Sequence, residues 1–326
     1  MIKSTIKNLY FLVWLALFVF GPTVLYAQSY PNNPVRLIVP QPPGGTTDTL
    51  ARLLATELSL MWGVPVIVDN KGGAAQIIGT EIVAKAPSDG YTLGMVISTH
   101  AVNPSLRARM PYDAVEDFTP ISLVAWVTDI VTLNSSLPPK NLKEFIEYVK
   151  ENPGKLNYGS AGTGTSTHLA GEFFQQITGT KMQHVPFSGG AQANTALLGS
   201  HTSMMFANFT SMMPFVKAGK VNALAVTSSK RNPALPNLPT TAEAGLPGFE
   251  VSEWFGVVSP ANTPKFIVEK ISIDIKKILS NPDTRKKLLE QGIEPVGSSP
   301  GEFSALIKSE ITKWSTVVKK SGITAE

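Results

Sequence analysis

One unit, written twice, constrains this chain more than any other feature: an apolar run, a loop rich in glycine and hydroxyls, and a helix opening. Val35–Val39 is an apolar run that reads as a buried strand. Pro40–Thr47 is a Pro/Gly/Thr loop, and from Asp48 onward Leu50, Leu53, Leu54, Leu58 and Met61 recur at helical spacing until Gly63. Asp48 reads as the helix N-cap. Leu156–Gly179 repeats the unit, with a Gly/Ser/Thr loop and a helix carrying Leu169, Phe173, Phe174 and Ile177 on one face. Gly44 and Gly45 let the backbone approach a ligand closely. A first helical turn adds unpaired N–H groups and the positive end of the helix dipole, so a small anion is the natural guest. Two readings of the residues stay open: two ordinary strand–helix turns, or two anion loops facing each other across a cleft. Hydroxyls clustered at Thr46, Thr47, Ser160, Thr163, Thr165 and Ser166 favour the second.

The rest of the chain is consistent with an α/β protein. Val64–Asp69 is an apolar run one helix after the first, so the opening reads βαβ and implies parallel strands. Tyr91–Ser98 is a third strand, ending in a polar loop from Thr99 and His100 to Pro104. Ligands in such open sheets gather at the carboxyl ends of the strands. Phe118–Trp126 and Ile130–Leu133 read as two strands and Asn141–Lys150 as an amphipathic helix. Ser203–Phe206 ends in Ala207-Asn208, and Val251–Pro260 is a late strand. Ser299-Pro300-Gly301-Glu302 is a capping box, opening a helix that braces the first lobe. The expected division is 28–126 plus 251–326 for one lobe and 127–250 for the other, following a targeting segment at 1–27.

That segment has a basic start at Lys3 and Lys7, an apolar stretch at Leu9–Phe20, and a cleavage site at Leu25-Tyr26-Ala27. The apolar stretch is short for a membrane span, which needs ~20 residues. Cleavage near Ala27 and a periplasmic location are expected. The chain has no cysteine, which excludes a lipid-anchored cysteine, disulfides and thiol chemistry. Its net charge of +4 falls by two once Lys3 and Lys7 are removed, and no dense basic stripe suits nucleic acid. A monomer is expected.

No catalytic constellation is present. No lysine follows either glycine loop in the P-loop manner, and Gly-x-Ser-x-Gly and His-Glu-x-x-His are absent. His100, His168, His184 and His201 are scattered, so neither metal nor cofactor is expected. His168 reads equally as a ligand donor or a packing residue, His184 as structural, and Trp254 equally as core or cleft wall. Asn208 stands at a strand end, in reach of a ligand.

Tyr30–Trp62, Ala86–Leu93, His100–Leu106, Tyr158–Glu172, Leu224–Thr241 and Trp254–Pro260 together resemble the Bug family. These are extracytoplasmic receptors of tripartite tricarboxylate transporters. The resemblance implies a periplasmic-binding-protein fold of type II, two α/β lobes joined by two crossing strands and closing on ligand like a flytrap. It implies a carboxylate held by backbone amides and hydroxyls of two loops, and delivery to large and small integral-membrane transporter subunits. Carried over, the first loop is Pro40–Asp48 and the second Ser160–Ser166 with His168, so contacts are expected from Pro40, Gly44, Gly45, Thr46, Asp48, Ser160, Gly162, Thr163, Gly164, Thr165, Ser166 and His168; the reading of the residues themselves adds Thr99, His100, Asn208 and Trp254 as candidates. Three departures from the family pattern stand out: Ala207 where an Asp is common, Ser188 where a Lys is common, and an altered loop after Asn70. They point to a ligand whose far end is uncharged or aromatic. A ligand sensor for a signalling partner, or an exported serine hydrolase using Ser160 or Ser166, are the rival readings.

Overall fold

Apolar runs separated by helices pair in parallel, because the intervening helix supplies the crossover that a hairpin turn cannot. β1 (Val35–Val39), β2 (Val66–Asn70) and β3 (Thr92–Ile97) do so, with β1 hydrogen-bonded in parallel to both neighbours. α1 (Thr46–Trp62) and α2 (Ile77–Ala84) make the connections. The computed structural model describes residues 30–322, and the features below belong to the unit that starts at Asn33. The targeting segment 1–27 lies outside the described residues.

The segment after β3, read from sequence as a polar loop, is helical: α3 (Thr99–Leu106) carries Pro104 inside it. Proline removes a backbone donor and normally ends a helix. Here packing overrides it. Ala101 is buried in one core, and Val102 and Leu106 in another.

β4 (Phe118–Asn134) is one strand where the sequence suggests two. Thr128 and Asp129 break the apolar pattern, but ladders on both sides carry the backbone through. Its first part pairs with β9 (Ser252–Pro260) and β10 (Ile293–Pro295). Its second part pairs with β7 (Met204–Asn208) and β8 (Val221–Val226). Beyond β7 lie β5 (Asn157–Ser160) and β6 (Gln183–Pro186). Two half-sheets thus share β4. The second half also contains α4 (Leu142–Glu151), capped by the Asn141 side chain, α5 (Ser166–Thr178), α6 (Gly190–Leu198) and α7 (Phe209–Lys217). α8 (Lys265–Ser280), α9 (Pro282–Glu290) and α10 (Pro300–Ser321) follow β9.

Strand direction positions the site. β9 is antiparallel to both β3 and β4, so β4 runs the same way as β3 and β1. β7 is antiparallel to β4, and β5 and β6 run with β7. The carboxyl ends of β1 and β3 therefore face those of β5 and β7. Both rows meet β4 near Val127–Asp129, where Val127 faces Glu253 and Asp129 faces Asn208.

One residue fastens this crossing. The Thr227 N–H donates to Asp129 O (2.9 Å), and the Asp129 N–H donates to Thr227 Oγ1 (3.0 Å). Thr227 Oγ1 also meets Val251 O (2.5 Å), while the Val251 N–H returns to Thr227 O (3.1 Å). The capping box at Ser299 and Glu302 forms as its sequence dictates. The helix it opens enters two cores: Phe303 and Ile307 of α10 lie in one, and Trp314, Val317 and Val318 in the other.

Candidate ligand-binding site

The first loop leaves β1 at Pro40 and enters α1 at Thr46. The N-cap is Gly45, not Asp48. Asp48 stands in the first turn, 5% exposed, and its side chain turns back into the loop. Oδ2 accepts the Gly44 N–H (3.0 Å) and Arg52 Nε (2.9 Å), and Oδ1 accepts Asn70 Nδ2 (3.0 Å). The Arg52 hydrogen bond, with those from Gly44 and Asn70, holds this carboxyl below its ordinary pKa against the opposing effect of burial. Asp48 thereby fixes Gly44, whose φ of +94° suits glycine, and neutralises the one nearby guanidinium. Pro40 is packed against α2, where a side chain on Gly79 would collide with it. Gly45 is exposed, and its N–H and those of Thr46 and Thr47 find no acceptor among the described residues.

The second loop is held from beneath by two imidazoles. β5 ends at Ser160, whose Oγ lies 2.6 Å from His184 Nε2 and accepts the Gly162 N–H (3.1 Å). Gly164 N–H donates to His168 Nδ1 (3.0 Å). The rings of His168 and His184 stack 3.8 Å apart at 12°, with Tyr158 stacked on His184 and its hydroxyl donating to Glu172 (2.6 Å). Burial lowers His184 to about 4 and His168 to about 3, the neighbouring His184 adding to the effect on His168. Both are neutral at neutral pH, and His168 is free to accept at Nδ1. His168 serves its own loop through Nδ1, and His184 is more than a packing residue. Thr167 Oγ1 takes the Ala161 N–H, and Gly162 O takes the Thr165 N–H and hydroxyl. Internal bonds thus consume the N–H groups of Ala161, Gly162, Gly164 and Thr165. Those of Thr163, Ser166 and Thr167 are left without an acceptor among the described residues.

The remaining candidates divide. Thr99 heads α3, whose Leu106 at the far end touches the second loop at Gly164. Asn208 closes β7 and caps α7, accepting the Thr210 N–H. His100 is in the core: its Nε2 lies 2.9 Å from Ala114 O, Phe118 meets its ring edge-on, and burial lowers it to about 4. Trp254 is wholly buried against Phe303, on the core side of the two readings its sequence left open.

Sequence reasoning passed over two acids at the crossing. Asp129 is 1% exposed, and its carboxyl is raised well above the usual range by burial and then by Glu253. Glu253 is partly buried and is raised to about 7 by burial. The available signal was an acid inside each of two apolar strands.

Opposed carboxyl edges, a shared through-strand and a glycine-rich loop with a helix opening on each side suit a solute-binding protein of the periplasmic type. The periplasmic binding protein BugD superposes with a TM-score of 0.80 at 36% identity, over 91% of this chain and all of that one (100%). A protein of R. palustris, solved with adipate, gives 0.83 at 37% identity, over 90% of this chain and 99% of that one. BugT of Bordetella pertussis (strain Tohama I) is 36% identical over 298 residues, 91% of each chain. Residues 50–323 match the tripartite tricarboxylate transporter family receptor, TctC. The chain belongs to this TctC/Bug family of receptors, which bind solutes and are not enzymes. Among the described residues no helix is long and apolar enough to cross a membrane.

Proposed function

We propose that this chain, exported by its 1–27 segment, captures a small organic carboxylate between loops 40–48 and 160–168 and delivers it to a tripartite tricarboxylate transporter. The observation that carries this reading is the pair of helix openings, α1 and α5, at strand ends that face each other. N–H groups of Gly45, Thr46 and Thr47 on one side, and of Thr163, Ser166 and Thr167 on the other, supply donors without a competing acceptor. Helix dipoles favour negative charge at both. Arg52 is occupied by Asp48, so binding needs no arginine clamp. The neighbour solved with adipate supports a carboxylate ligand.

The lobes, 28–126 with 251–326 and 127–250, close on the anion by bending at Val127–Asp129 and Thr227–Val251. Ligand shifts the balance only by preferring the closed form, and the closed form is what the transporter's membrane subunits recognise. The test is a thermal-shift screen of residues 28–326 against di- and tricarboxylates, aromatic acids, amino acids and neutral amides. A ligand at ~100 times its Kd stabilises by ~2.7 kcal/mol, and a rise confined to carboxylate-bearing compounds is expected. No rise with any acid, in protein that native mass spectrometry finds empty, would sink the reading.

A further inference from the structure

Asp129 and Glu253 have no role in the two-loop capture of a carboxylate, yet they stand where the opposed edges meet. Val127 faces Glu253 and Thr128 faces Ser252 across the β4–β9 ladder. Asp129 and Glu253 are therefore diagonal neighbours on one face, ~7 Å apart at the backbone. Trp126, Thr128 and Ser252 point to the other face, where they line a crevice against Glu310 and Lys313 of α10. The acids thus turn away from α10. Asn208, opposite Asp129, continues the row toward the second loop.

Neither carboxyl has an ion pair or a side-chain hydrogen bond among the described residues, and Asp129 Oδ2 is buried without a partner. The hydroxyls beside Asp129 serve the main chain: that of Thr128 donates to Asp129 O (3.3 Å), and that of Thr227 is engaged with the Asp129 and Val251 main chain. A buried ionised carboxylate without a partner is strongly unfavourable, and two side by side more so. The raised titration of both groups reflects this. A cation entering the cleft would resolve it, and an ammonium brings three donors as well as charge. A second carboxylate would meet two acids.

We infer that Asp129 and Glu253 read the end of the ligand opposite the loop-bound carboxylate, and that this end carries an ammonium group. This rests on the carboxylate-receptor reading and replaces the uncharged far end suggested by Ala207 and Ser188.

The experiment is calorimetric titration of residues 28–326 with chain-matched probes: γ-aminobutyrate, succinate and butyrate, then ε-aminocaproate, adipate and hexanoate. The amino acid of the better length is expected to bind at least about 10-fold more tightly than its matched diacid and monoacid. Asp129→Asn and Glu253→Gln should each weaken it by about 30-fold while leaving the monoacid nearly unchanged. Melting curves of both variants establish that they fold, and the wild-type ranking depends on neither. A diacid that binds as well as the amino acid, or amino-acid binding untouched in both variants, overturns the inference while the carboxylate receptor stands. Failure of all six probes counts against the receptor reading itself, and the inference falls with it.

Discussion

Acidification should drain folding stability through the two imidazoles beneath the second loop. His168 is 4% exposed and accepts the Gly164 N–H at Nδ1, the atom a proton would have to occupy. Burial, with His184 stacked beside it, lowers its pKa from 6.5 to about 3. The unfolded chain therefore takes up this proton at higher pH than the folded one. The stability at stake is intact above pH 6.5 and drains as pH falls toward 3. Each pH unit in that window costs about 1.4 kcal/mol, so by pH 4 the loss is ~3 kcal/mol from this residue. His184, lowered to about 4 by burial, acts in the same direction. Other groups titrate in the same range, so the assay compares losses. Urea midpoints would be measured at pH 7 and pH 4 for the wild type and for His168→Gln. The wild type should lose ~3 kcal/mol more between the two than the variant, which lacks the proton site. Equal losses, or a folded-state imidazole resonance of His168 titrating near its ordinary 6.5, would refute the reasoning.

Two further substitutions probe the scaffold around the site. Gly164→Ala places a side chain at φ +80° and 2.5 Å from Leu106 Cδ1, so it should cost about 1–3 kcal/mol and weaken anion binding. An unchanged melting temperature would show that α3 does not press on the loop. Thr227→Val keeps the shape but strips the hydroxyl that ties Asp129 to Val251, for an expected loss of ~2 kcal/mol by denaturant titration. No loss would mean the crossing is held elsewhere.

Much of the frame was legible because local rules and packing agree there. Val35–Val39 and the helix ending before Gly63 follow from periodicity and glycine placement, although the helix opens at Thr46, two residues before the Asp48 start read from sequence, and Ser299–Glu302 forms the box its spacing requires. Sequence reading failed where tertiary contacts decide. Pro104 sits inside a helix because Val102 and Leu106 have a core to enter. Asp48 looks like a cap by type and position, but Gly44 and Arg52 draw its carboxylate into the first turn. The division of labour in the second loop was invisible for another reason: His184 and His168 meet only after β6 and α5 are placed side by side. Asp129 and Glu253 lie 124 positions apart, and only the β4–β9 register brings them together.

The placement of α10 bears on how the chain reaches its folded state at all. Trp314 completes a core whose strands begin near residue 130, and Phe303 completes one whose first strand is β1. Neither core can close until this late segment has been synthesised. A shortened chain lacking it should stay loose in both halves, and the intact one should melt in a single calorimetric peak rather than two.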